Sequence, residues 1–158
     1  MKDTYVVVSA EEEDFDEIVE VWEASVRATH HFLKEEDIGF FRPLIRSTYL
    51  KMLDVRVIKG QDDSILAFTG ISGSSIEMLF IHPDTRGTGL GKKLLNYAIA
   101  EAGAFRVDVN EANFQARGFY EYMGFKVTGR SELDSTGKPY PILHMELNSM
   151  KHTYTTHS

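Results

Sequence analysis

Cysteine is missing from the 158 residues, and its absence removes disulfides, thiol nucleophiles and thiolate zinc sites together. Any group transfer must pass directly from donor to acceptor or use an oxygen nucleophile. Long apolar runs are also missing. The longest, such as Val6–Val8 and Met78–Ile81, fall far short of the roughly twenty residues of a membrane span, and Lys2 is not followed by a signal-peptide core. A soluble, cytoplasmic protein with no membrane partner is expected. Positive charge is in deficit: 17 Lys and Arg stand against 24 Asp and Glu, for a net charge of -7. That sign argues against a nucleic-acid partner, which needs a basic face to displace phosphate counterions, and suits a cationic or neutral small substrate. Repeats and low-complexity segments are absent too.

What is present is concentrated in residues 76 to 97. An apolar strand ends at Ile81, Pro83 follows, and Arg86-Gly-Thr-Gly-Leu-Gly-Lys92 opens an amphipathic helix. Gly87, Gly89 and Gly91 let the main chain take positive φ and approach a ligand, while the helix start aims unpaired amides and its dipole at an anion. A P-loop is excluded, because Arg86 stands where its first glycine belongs and Lys93 where its magnesium-binding hydroxyl belongs. This disfavours a nucleotide-binding phosphotransferase. A dinucleotide fingerprint is excluded because its third glycine would be Lys92.

Periodicity supplies the remaining elements. Tyr5–Ser9 reads as a strand, and Ser9 with Glu12 as a capping box before a helix. Phe15, Ile18, Val19, Trp22 and Val26 then recur at three and four, with an acidic opposite face. A second helical region runs from about 34 to 52 and is interrupted at Pro43, which should start or kink a helix there. Strands follow at 55–59, 64–71 and 75–81, a helix at about 89–102 closed by Gly103, and a strand at 105–109. A helix from Asn113 to Met123 ended by Gly124, and strands at about 126–133 and 141–147, complete the order β-α-α-β-β-β-α-β-α-β-β.

Arg86-x-x-Gly89-x-Gly91 resembles motif A of the GNAT acyltransferase superfamily, and Asn113, Ala116, Gly118, Phe119, Tyr120, Gly124 and Phe125 resemble its motif B. Segments 25–33, 107–113 and 129–144 look more specifically like a YjaB-like bacterial branch. The resemblance implies an α/β (α+β) chain with a central mixed, mostly antiparallel sheet flanked by helices. It implies one domain over residues 1–148, leaving 149–158 as a tail expected to be disordered. It also implies transfer of acetyl from acetyl-CoA to an amine, on a small molecule or a peptide, in a ternary complex. A catalytically idle acyl-CoA-binding sensor or docking module is the alternative. Oligomeric state stays open, a homodimer included.

On that reading the amides of Gly87, Thr88, Gly89, Leu90, Gly91 and Lys92 hold the pyrophosphate, with charge from Arg86 and Lys92. Amides of Leu79, Phe80 and Ile81 pair with the pantetheine arm and polarise the thioester, if their strand bulges away from the strand at 105–109. Tyr120 matches the family's general acid, and Asn113 combines a cap with cofactor contact. An amine with a pKa of about 10.4 is mostly protonated at neutral pH, so a base is required. Glu77, Asp108, His30 and His144 are the candidates. Trp22, Thr29, His30, Phe32, Asn110, Arg130, Tyr140 and His144 are candidates for the acceptor pocket. His30 and His31 are adjacent rather than one turn apart, and His82, His152 and His157 lack evident partners, so no metal site is expected.

Overall fold

A computed structural model describes residues 5–148 of the chain. Within it, the alternation of apolar and polar residues over 54–81 becomes three consecutive antiparallel strands, β2 (Asp54–Lys59), β3 (Ile65–Ser72) and β4 (Ser75–Ile81). A short first strand, β1 (Val7–Ser9), pairs antiparallel with β2. These belong to the first of two compact units, Met1–Ala104 and Phe105–Ser158. The tail 149–158, with His152 and His157, lies outside the described residues.

Helix α1 (Phe15–Thr29) buries the stripe expected of it. Phe15, Ile18, Val19, Trp22 and Val26 join Val55, Val57, Phe68 and Met78 in one apolar core. Fully burying a side chain of this size stabilises by roughly 1.5–3 kcal/mol, so the stripe alone is decisive for docking the helix. The N-terminal signal lies two residues later than expected. Glu11 and Asp14, not Ser9 and Glu12, make the reciprocal capping box, with the Glu11 amide donating to Asp14 Oδ2 at 2.8 Å, and a short 3-10 turn over Glu12–Asp14 precedes the helix. Carboxylates cap as well as hydroxyls do, and here the strand end at Ser9 fixes which pair is used.

The expected irregularity at Pro43 takes the form of a change of helix type. Pro43 sits inside α2 (Glu35–Leu44), and the chain continues through a π-helical turn over Ile45–Tyr49 into α3 (Leu50–Met52). The wider turn absorbs the disturbance that a ring without an N–H introduces, so the helical path is widened and not broken. Arginines from this run neutralise the acidic face of α1: Arg42 pairs with Glu20 and Glu23, and Arg46 with Asp16.

Helix α4 (Leu90–Ala102) buries Leu90, Leu94, Leu95 and Ala98 and ends at Gly103, whose φ of 69° marks the left-handed cap. In the second unit β5 (Arg106–Asn110), β7 (Ile142–Leu147) and β6 (Phe125–Ser131) form an antiparallel sheet with β7 in the middle. Val107, Val109, Leu143 and Met145 are buried on one face. Helix α5 (Phe114–Tyr122) precedes β6, and Gly124 carries the chain out of it at positive φ.

Candidate functional site

Two features of β4 prepare it for ligand contact. Gly70 pairs with Met78 while Ile71 pairs with Ile76, so Glu77 is an extra residue on β4, a bulge against β3. Thr69, fully buried, donates its hydroxyl to the Met78 carbonyl at 2.7 Å and satisfies that acceptor beside the irregularity. The sequence carries no sign of this bond beyond an unexplained threonine in an apolar strand. Leu79, Phe80 and Ile81 follow the bulge and are partly buried. In an antiparallel ladder alternate amides point away from the neighbouring strand, so part of this stretch can bond a ligand instead of β3.

His82 has a partner after all. Its Nδ1 accepts the Asp84 amide at 3.1 Å and caps the 3-10 turn Pro83–Thr85, fixing how the chain enters the loop. Thr88 then donates to the Thr85 carbonyl at 2.5 Å. Gly87 and Gly89 have φ of 81° and 86°, a region costly to residues with a Cβ. Gly91 departs from the expectation for all three glycines and sits in the first turn of α4. A Cβ built on Gly87 or Gly89 would meet nothing within 4 Å, so space beside the main chain is open to a ligand. The Lys93 amide bonds the Gly89 carbonyl at 3.0 Å and begins the helical ladder. Amides earlier in the first turn have no intrahelical acceptor by geometry. Together with exposed Arg86 and Lys92, they suit a diphosphate.

The end of α1 gathers an aromatic group. The His30 ring lies 5.1 Å from Phe32 and 6.1 Å from Phe80, which stacks on Phe68 at 5.7 Å. Thr29 Oγ1 contacts His30 Nδ1 at 2.7 Å and donates to the Ser25 carbonyl at 2.9 Å. A hydroxyl has one proton to give, so the ring is left as the donor at Nδ1. Burial, with a smaller contribution from His31, pulls the His30 pKa down to about 4. The ring is therefore neutral near pH 7 and a reluctant proton acceptor. Trp22 is only 4% exposed within the core, which leaves its indole to packing.

In the second unit Asn113 caps α5, accepting the Ala116 amide at 3.0 Å. Asn110 accepts the Ala112 amide at 2.9 Å and shapes the turn after β5. Tyr120 is 6% exposed, edge-on to Phe119 and Phe125, and burial pushes its phenol pKa well above the usual value, so it keeps its proton. Arg130 makes two bonds to Glu111, at 2.7 and 3.0 Å. Tyr140 is partly buried, its amide bonded to the Lys138 carbonyl at 2.8 Å. Asp108 and His144 face each other across β5 and β7, with Asp108 Oδ1 2.7 Å from His144 Nδ1, and Ser131 Oγ lies 2.7 Å from His144 Nε2. Sequence reasoning had Asp108 and His144 as separate candidates and missed Ser131, because only strand register brings the three together. Among the described residues no cluster of metal-ligating side chains is present, and no helix is long and apolar enough to cross a membrane.

Residues 56–148 match the model of the acetyltransferase (GNAT) domain family. The chain is 44% identical over 133 residues to the peptidyl-lysine N-acetyltransferase YjaB of Escherichia coli K12, covering 84% of this chain and 90% of that one. It superposes on the solution structure of apo YjaB from Escherichia coli with a TM-score of 0.83 and 40% identity, over 90% of this chain and 97% of that one. At 19% identity it shares the fold of the PaiA N-acetyltransferase of Thermoplasma acidophilum in complex with coenzyme A, with a TM-score of 0.73 over 92% of this chain and 99% of that one.

Proposed function

The chain belongs to the GNAT acetyltransferase family and transfers the acetyl group of acetyl-CoA to an amine, and on that footing we propose that its acceptor is the ε-amino group of a peptidyl lysine. The observation that carries this reading is kinship, over most of both chains, with a relative named for acetylating peptidyl lysine. The net charge of -7 supports it, since a lysine arrives as a cation.

The residues divide the work as follows. Amides from Gly87 to Lys92, with Arg86 and Lys92, take the diphosphate of acetyl-CoA, which supplies the activated thioester. Amides within Leu79–Ile81 orient the pantetheine arm and polarise the carbonyl. Asn113 adds a polar contact to the cofactor from the start of α5. Tyr120 presents a protonated phenol to the departing sulfur; its raised pKa keeps that donor in place at neutral pH. Phe32 and Phe80, beside a neutral His30, offer an apolar wall to the alkyl stem of the lysine.

Incubating the full chain with acetyl-CoA and a set of lysine-containing peptides tests the proposal by mass spectrometry. A mass gain of one acetyl group, located on lysine, is expected. Transfer confined to small amines would overturn the peptidyl acceptor, and tight CoA binding without transfer to any amine would favour an idle binding module.

A further inference from the structure

We infer that Ser131, His144 and Asp108 form a proton relay that deprotonates the acceptor amine, with Ser131 and His144 catalytic and Asp108 positioning the imidazole. The inference rests on the acetyl-transfer reading above and assigns the base that this reading leaves open.

The three side chains lie in a diagonal across β5, β7 and β6, on the face opposite Val107, Val109, Leu143 and Met145. Their order of hydrogen bonds follows from chemistry. An ionised carboxylate only accepts, so His144 Nδ1 carries a proton and donates it to Asp108 Oδ1 across 2.7 Å. The neutral ring then has its lone pair at Nε2, and the Ser131 hydroxyl donates to it across 2.7 Å. A hydroxyl, an imidazole and an orienting carboxylate in this sequence are the parts of a general-base chain. The chain is reachable, with the His144 side chain 39% and that of Asp108 58% exposed.

The alternatives are weaker. His30 is a poor proton acceptor because burial holds its pKa near 4. His82 Nδ1 is committed to the Asp84 amide.

The step balances. An N–H bond of the lysine ammonium breaks and its proton passes to Ser131 Oγ, as the hydroxyl proton moves to His144 Nε2. The resulting imidazolium is paired with the Asp108 carboxylate. The freed lone pair forms the C–N bond to the acetyl carbon as the C–S bond breaks, and Tyr120 protonates the thiolate. The acylated nitrogen gives up its second proton to water as the C–S bond breaks, Tyr120 is reprotonated from water, and His144 releases its proton to water, so of the two N–H protons lost one ends on the thiol and one in solvent. The charged groups sharing the face of His144 are Asp108 and Arg106 on β5, Glu146 on β7 and Lys126 on β6. Arg106 and Glu146 are 3.9 Å apart and offset each other.

The test is kcat/KM for a lysine peptide from about pH 6 to about pH 10, in the full wild-type chain and in H144Q, S131A, D108N and E77Q. Acetyl-CoA affinity and cooperative unfolding are measured for each. H144Q is expected to lose about 10²-fold near neutral pH, with cofactor affinity unchanged. The deficit should shrink as pH approaches the pKa of the amine, because a free amine needs no base. S131A and D108N should show the same pH signature with smaller amplitude. Superimposable profiles for H144Q and wild type overturn the relay, as does a deficit constant at every pH, or a pH signature carried by E77Q instead. Wild type that binds acetyl-CoA and acetylates no amine overturns the acceptor reading and the relay together. An active wild type with an unaltered H144Q profile overturns the relay alone.

Discussion

The loop between β4 and α4 and the sheet β5–β7–β6 assemble polar groups in opposite ways. The loop works with its main chain: two glycines at positive φ, an open space beside them and the amides of a helix start. The sheet works with side chains, setting a carboxylate, an imidazole and a hydroxyl in line on three strands. A main-chain site tolerates almost any neighbouring side chain but no Cβ at its tight positions, whereas a side-chain site tolerates any backbone that keeps the register. The first should therefore fail by losing its ligand, and the second by losing turnover while the ligand stays bound.

The strongest test of that contrast is Gly89→Glu. A left-handed φ of 86° strains any residue with a Cβ, and a carboxylate placed there repels a diphosphate. Calorimetric titration is expected to show acetyl-CoA affinity reduced more than about 10²-fold, or roughly 3 kcal/mol, with the fold intact. Unchanged affinity would remove the loop from the cofactor site.

Tyr120→Phe is next in size and should fall on the other side of the comparison. Turnover is expected to drop by about 10²-fold while CoA affinity changes little, since the role proposed for the phenol is to protonate the departing sulfur. An equal kcat in the variant would show that Tyr120 only packs against Phe119 and Phe125.

The smallest effect concerns His30, which belongs to the first unit yet should act through stability. Its folded pKa of about 4 lies below the ordinary imidazole value of 6.5, so between those values the unfolded chain binds a proton that the folded chain refuses. Stability is fully present above about pH 6.5 and declines as pH falls toward 4, by about 2–3 kcal/mol from this group. His30→Gln should flatten that part of the acid limb in urea titrations at stepped pH, relative to wild type. Parallel limbs for the two proteins would show that the ring is readily protonated in place.

These contrasts also explain what was legible in advance. The glycine loop was visible because glycine at fixed spacing is itself the requirement, and β4 matched its expected bounds of Ser75–Ile81. The capping pair moved from Ser9 and Glu12 to Glu11 and Asp14 because several residues there can cap and the strand end chooses. Pro43 announced an irregularity in its helix, but that it would be a π-helical turn over Ile45–Tyr49 could not be read from the ring alone. Ser131 went unnoticed for a stronger reason: serine is ordinary on a strand, and nothing in its neighbours along the chain marks it.

By itself the sequence determined the donor side of this protein: a glycine turn on a helix start, the family it belongs to and the kind of transfer it performs, all encoded in residues close in number. Tertiary structure alone decided the proton side. The alignment of Asp108, Ser131 and His144 depends on how β5, β6 and β7 pair, and a slip of one residue in either pairing would turn one of the three to the opposite face.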